Sequence, residues 1–245
     1  MSGVIGKRVL ITGATDGIGL AMACKYAQAG ARVLATGRRP LARTDDIFGG
    51  ATLTYIRADQ SEPEEAARSI VQTMKTMGWT GCDLAILNAG IGWAGNPADE
   101  PAEVLAEQVA VNVESPVQIA RAIAPALFEA KGQLTLIGSI AHKGSKKFAT
   151  YAATKAAQRG LARSLREEWR DRANVQILHP GAIRTGMHAK AGFKAGMFRI
   201  FFTGSRRASN AILSAIESGV AERVIKRNFI FRTGWRTPRR LRKVQ

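Results

Sequence analysis

The stretch KRVLITGATDGIG (residues 7–19) decides the fold. KRVLITG (7–13) reads as a buried β-strand, and Gly13, Gly17 and Gly19 then set a tight turn into the helical pattern of IGLAMACKYAQAG (18–30). An apolar strand without polar alternation is buried on both faces, which is the habit of parallel sheets covered by helices. The same alternation continues outward. Strands are expected at 31–37 (ARVLATG), 52–59 (TLTYIRAD), 82–90 (CDLAILNAG), 133–139 (QLTLIGS), 174–181 (NVQILHPG) and 221–229 (AERVIKRNF). Helices are expected at 62–78, at 102–130 with interruptions by prolines, and at 150–172. Residues 38–50 are too short for a crossover helix and read as loop. The pattern predicts one α/β domain over 1–228: a single doubly wound parallel sheet of about seven strands, helices on both faces.

The chain has 245 residues, 46% hydrophobic and 22% charged, so neither disorder nor fibrous structure fits most of it. No uncharged apolar run is long enough for a membrane span, and no signal stretch opens the sequence. Cys24 and Cys82 sit in apolar surroundings and read as reduced core residues of a cytoplasmic protein. The net charge of +17 is unevenly placed. Residues 1–130 carry 11 basic and 14 acidic side chains, residues 131–200 carry 14 and 3, and residues 223–245 carry 9 and none. That makes a nucleic-acid partner a minor reading, since no aromatic-plus-glycine RNA motif accompanies the charge.

The turn Thr12–Gly19 has the context of a phosphate-binding loop. Glycines permit positive φ and close approach, and the helix N-terminus offers free N–H groups and partial positive charge. Its spacing, T-G-x-x-x-G-I-G, resembles that of the short-chain dehydrogenase/reductase family. Three more segments carry the resemblance: Asn88-Ala89-Gly90 after the fourth strand, Tyr151-x-x-x-Lys155 with Ser139 upstream, and Pro180-Gly181 with Thr185 beyond the sixth strand. The resemblance runs from about 7 to about 190. It implies an oxidoreductase passing a hydride between a nicotinamide and a carbonyl or hydroxyl carbon.

Tyr151 and Lys155, four apart on a helix, project from one face. A phenol titrates near 10, and a neighbouring ammonium is expected to lower that value. Ser139 can donate to a substrate oxygen. The family resemblance gives these three the catalytic roles, has Lys155 grip the nicotinamide ribose, and makes Asn112 the link from the lysine to a water relay. It also gives cofactor contacts to Gly13, Thr15, Asp16, Gly17, Ile18, Gly19, Asp59, Asn88, Ala89, Gly90, Pro180, Gly181, Ile183 and Thr185.

At the end of the second strand stand Arg38 and Arg39, with no carboxylate. Guanidinium groups there suit a 2′-phosphate, so NADP is expected over NAD. Asp16 pulls the other way, either repelling a phosphate or capping the helix.

Residues 186–204 lie where the family has a variable lid. Phe193 and Met197 from it, with Trp93, Phe148 and Ser139, are the expected substrate pocket. Lysines near the cleft (Lys143, Lys146, Lys147) would suit an acidic substrate or carrier. His142, His179 and His188 show no zinc-ligand spacing, so no metal site is expected. The resemblance implies a dimer interface formed by two helices, one carrying Arg159, Arg163, Arg166, Arg170 and Arg172 and the preceding one beginning with Glu100, Glu103, Glu107 and Glu114, so a salt-sensitive homodimer is expected. The basic tail 229–245 departs from the family ending. An alternative reading follows from it: a binding protein on a reductase scaffold, its tail addressing a membrane surface or an acidic carrier protein.

Overall fold

The computed structural model describes residues 3–40, 47–181, 183–184 and 203–225. Seven strands form one parallel sheet: β1 (Arg8–Ile11), β2 (Arg32–Gly37), β3 (Thr54–Arg57), β4 (Leu84–Leu87), β5 (Gln133–Ile137), β6 (Asn174–Pro180) and, at the far edge, β9 (Glu222–Ile225). A short parallel pair, β7 (Ile183–Arg184) and β8 (Thr203–Gly204), stands apart. The order in the sheet is β3-β2-β1-β4-β5-β6-β9. The chain steps outward from β1 to β3, then crosses back to β4 on the other side of β1. This Rossmann-type reversal opens a crevice at the strands' carboxyl ends, between β1 and β4.

Successive residues along β1 feed opposite layers. Leu10 packs with Ile70, Ile119, Ile123, Leu127 and Ile177, beneath α2 (Pro63–Thr76), α4 (Ser115–Glu129) and α5 (Ala149–Glu168). Val9 and Ile11 pack with Met22, Tyr26, Ile86, Leu178 and Ile212, beneath α1 (Gly17–Gln28) and α6 (Ser205–Glu217). Two buried faces explain why the strands read as continuous apolar runs. Each fully buried Leu or Ile contributes roughly 1.5–3 kcal/mol, so the sheet is a firm platform for the loops at its edge.

Two elements differ from the sequence expectation. The long helix at 102–130 is not broken at a proline. It is α3 (Ala102–Val109), a π-helical turn (Ala110–Glu114) and α4, in unbroken succession. Pro116 lies in the first turn of α4, where its missing N–H leaves the Asn112 carbonyl without the helical donor, and Pro125 lies inside the helix. The π turn holds Asn112, and single π turns occur mostly at functional sites. Helix α6 was not expected. It buries Ala208, Ser209, Ile212, Leu213, Ala215 and Ile216, a helical repeat that the sequence does contain. Among the described residues no helix is long and apolar enough to cross a membrane.

Candidate active site

The turn after β1 is braced by the segment after β4. Thr12 Oγ1 accepts hydrogen bonds from the backbone N–H of Asn88 (3.0 Å) and Ala89 (3.1 Å). The Asn88 amide donates to the carbonyls of Thr12 (3.0 Å) and Gly13 (3.1 Å). Asn88, which the resemblance gives a cofactor contact, thus uses its side-chain amide to brace the turn. Gly13 (φ 63°) and Gly17 (φ 56°) take the left-handed backbone the turn needs. A Cβ on Gly19 would lie 2.2 Å from the Gly13 carbonyl oxygen, so this glycine serves helix-to-turn packing. Asp16 stands at the N-cap of α1, but its side chain makes no capping bond.

The cleft above this turn has a volume of about 780 Å³. Gly13, Thr15, Asp16, Gly17 and Ile18 line it, with Arg38, Asp59, Asn88, Ala89 and Gly90. Ser139, Phe148, Tyr151, Lys155, Pro180 and Gly181 line its other part, with Trp93. Arg39 is not in the lining; its carbonyl accepts from the Tyr55 hydroxyl (2.8 Å). Arg38 reaches across to α3, where its guanidinium meets the Glu107 carboxylate at 3.3 Å. Asp59 spends Oδ1 on the backbone N–H and hydroxyl of Ser61, leaving Oδ2 for another donor. The backbone of Ile183 lies in β7. Thr185, Phe193, Met197 and almost all of the expected lid lie outside the described residues, as does the tail 229–245.

Three side chains converge where β5 meets α5. Ser139 caps a 3-10 turn (Ile140–Lys143), its Oγ accepting from the Ala141 N–H at 3.1 Å. That contact occupies a lone pair and leaves the hydroxyl proton to donate into the cleft. Tyr151 is buried, and burial pushes its pKa up to about 12, with the Ser139 hydroxyl pulling the other way. Lys155 is buried too, and desolvation takes it down to about 7. Its ammonium lies 5.7 Å from the Tyr151 ring centre and donates to the Ile137 carbonyl (3.0 Å) and Gln158 Oε1 (3.0 Å). The expected depression of the phenol by the lysine is thus outweighed here by burial of both groups. Two glycines make room for the pair: a Cβ on Gly90 would meet Lys155 Nζ at 3.3 Å, and one on Gly92 would meet the Tyr151 ring at 3.0 Å.

Asn112 is fully buried. It bridges the Ile91 backbone in both directions (2.9 and 2.7 Å) and donates to Thr154 Oγ1 (3.0 Å). Its own carbonyl accepts from Gln158 Nε2 at 2.7 Å. Gln158 therefore links Lys155 directly to Asn112. Sequence reasoning missed Gln158, although it stands three residues after Lys155 on the same helical face. Glu107 was missed as a partner of Arg38, because only the fold brings α3 to β2.

The mouth of the cleft is shaped by Trp93, whose backbone N–H is held by Gln108, itself bonded to Glu100. Phe148 meets the Tyr151 ring edge-on at 6.3 Å. Lys143, Lys146 and Lys147 are exposed and none lines the cleft, as a solvated loop would have them rather than a cationic rim. The arginines of α5 and beyond are largely used within the chain. Arg159 pairs with Glu222, Arg166 with the carbonyls of Val175 and Ala221, Arg170 with Glu167, and Arg172 stacks on Phe128 at 3.6 Å. That weakens the charge-matched interface read from the sequence.

Glycine turn, topological switch point and a serine, tyrosine and lysine in one cleft define a class: nucleotide-binding oxidoreductases of the doubly wound fold. Within that class the chain belongs to the short-chain dehydrogenase family, whose model matches residues 7–196. It is 31% identical over 230 residues to the hydroxysteroid 11-beta-dehydrogenase 1-like protein of Gallus gallus, covering 88% of this chain and 76% of that one. It is also 31% identical over 196 residues to dehydrogenase/reductase SDR family member 7B of Rattus norvegicus, covering 75% of this chain but only 60% of the relative's length. Among solved structures it superposes on a 3-oxoacyl (acyl-carrier-protein) reductase of Agrobacterium tumefaciens C58 with NADP bound. That match has a TM-score of 0.77 and 26% identity, over 91% of this chain and 93% of that one.

Proposed function

We propose that the protein is an NADP-preferring ketone or aldehyde reductase, or alcohol dehydrogenase, with Ser139, Tyr151 and Lys155 as catalytic residues. The observation that carries this is the convergence of those three side chains with the braced glycine turn and Arg38 in one cleft. The residues fit the cofactor. Gly13 and Gly17 line the cleft with backbone and no side chain at the turn where a pyrophosphate would sit, and Lys155 lines the same cleft, where it would reach a ribose hydroxyl. When bound, the reduced nicotinamide supplies a hydride to the carbonyl carbon, and the C=O electron pair moves to oxygen. Ser139 donates a hydrogen bond to that oxygen, and Tyr151 gives it a proton. Lys155 stabilises the tyrosinate left behind, and Gln158 holds Lys155 against the Asn112 carbonyl. A phenol is protonated at neutral pH, so the reductive direction finds its proton in place; burial raises the Tyr151 pKa and makes it a weaker acid, which stabilisation of the tyrosinate by Lys155 would offset.

NADP over NAD rests on Arg38 and on the absence of a carboxylate after β2. The NADP-bound Agrobacterium structure is consistent with it. Comparing kcat/KM for NADPH and NADH tests this reading, and a preference for NADH overturns it. A homodimer through α3 and α4 is part of the same proposal. It rests on the exposed apolar side chains Leu105, Val109 and Val117. The cytoplasmic reading, the one-domain division at 1–228 and membrane or carrier contact by the tail remain sequence-based proposals. Liposome co-sedimentation with and without residues 229–245 tests the last. A pure binding role on this scaffold is disfavoured, because it would not require the buried Lys155–Gln158–Asn112 chain.

A further inference from the structure

Spacing along the chain conceals one cluster that the fold assembles. His142 lies in the 3-10 turn after Ser139, His179 near the end of β6, and Glu222 at the start of β9. Their ligating atoms lie within 4.8 Å of one another. His179 Nε2 is 3.1 Å from Glu222 Oε1, and the two imidazole rings stand 4.1 Å apart, centre to centre. Two of the three histidines in the chain thus meet at one carboxylate. None of the three side chains lines the cleft, so the reaction proposed above does not use them.

The local chemistry favours metal ligation. His142 Nδ1 donates to the Ser139 carbonyl at 2.6 Å, which leaves the Nε2 lone pair outward. A metal-bound histidine is usually fixed in just this way, by a backbone carbonyl on its other nitrogen. His179 is fully buried and its Nδ1 has no hydrogen-bond partner. Two imidazoles and one carboxylate, with a fourth position open, suit an ion of the zinc class.

We infer that His142, His179 and Glu222 form a binding site for one divalent transition-metal ion of the zinc class, distinct from the cofactor cleft. The inference departs from the sequence expectation of no metal site, which considered spacing alone. Arg159 is the built-in competitor. Its Nε holds the same Glu222 oxygen at 2.6 Å, and its side chain is 39% exposed, so it can withdraw into solvent when an ion arrives. A bound ion would tie the turn carrying Ser139 to β6 and to the edge strand β9.

Cobalt(II) titration of metal-stripped protein tests this, because tetrahedral cobalt with nitrogen and oxygen ligands absorbs in the visible. One equivalent is expected to give such a spectrum, and zinc to abolish it. Zinc is also expected to raise the Tm. His142→Ala and Glu222→Gln, both at partly exposed positions, are expected to weaken binding by about tenfold or more, whereas Arg159→Ala strengthens it. No cobalt spectrum at equimolar metal overturns the inference. So does a spectrum that survives both weakening substitutions, which would place the ion elsewhere, or an Arg159→Ala affinity equal to that of the parent.

Discussion

At the Tyr151 end of the cleft, Tyr151 and Lys155 are 8% and 3% exposed, and Asn112 is wholly enclosed. At the Arg38 end, the side chains of Arg38 and Glu107 are 52% and 39% exposed and meet in one ion pair. The first end is fixed by a continuous set of buried hydrogen bonds running from Ile137 through Lys155 and Gln158 to Asn112 and Ile91. The second is held by a solvent-exposed contact of a kind worth about 0–1 kcal/mol. The Tyr151 end is therefore braced by buried hydrogen bonds, while the Arg38 end, where the proposed cofactor preference would be decided, is held by exposed side chains.

Substitutions should grade along the same axis. Tyr151→Phe removes the proton donor and keeps the ring; kcat/KM for carbonyl reduction is expected to fall about 100- to 10,000-fold with NADPH binding retained. Comparable turnover in the variant would break the contrast at its strong end. Gln158→Ala leaves Lys155 and the Asn112 carbonyl without a buried partner. A loss of about 1–3 kcal/mol in urea unfolding is expected, with reduced kcat. Arg38→Ala should lower kcat/KM for NADPH by about tenfold or more while leaving NADH nearly unchanged. The smallest effect belongs to Glu107→Gln. Freeing Arg38 should lower the KM for NADPH by no more than about fivefold.

Lys155 adds a pH signature. Its folded value is near 7, against 10.5 for an exposed lysine. Between those values the unfolded chain binds the extra proton, so this group makes stability rise with pH across that window. Below 7 both states are protonated and its contribution is flat. In Lys155→Met the urea midpoint should lose that component of the rise. A parallel pH profile for the two proteins would show that the lysine is not held neutral by burial.

Much of this arrangement is legible in the sequence, because local rules dominate there. Five of the seven strands of the sheet, β1, β2, β4, β5 and β6, fall where apolar runs end in or next to Gly, Pro or Asn. Tyr151, Lys155 and Ser139 share the cleft because helix periodicity and strand ends place them. The contacts that were missed are tertiary. The π turn around Asn112 is accompanied by tertiary bonds from its side chain to Ile91 and Thr154 and from Gln158 to its carbonyl, which Pro116 cannot serve. The Arg38–Glu107 pair joins residues 69 apart. His142 and His179 meet only because β5 and β6 are neighbours in the sheet. The reading of five α5-region arginines as interface charges is narrowed for a related reason. Four of them find partners inside their own chain, which a sequence count cannot reveal.

The central claim is hydride transfer to a carbonyl carbon within this cleft. It is tested most directly with NADPH deuterated at the transferring position of C4 and a panel of ketones and aldehydes, including long-chain and carrier-bound 3-keto compounds. The account predicts deuterium on the carbinol carbon of at least one product, with one NADPH oxidised per alcohol formed. NADPH oxidised without deuterium in any product, or NADPH bound with no carbonyl reduced, would contradict it.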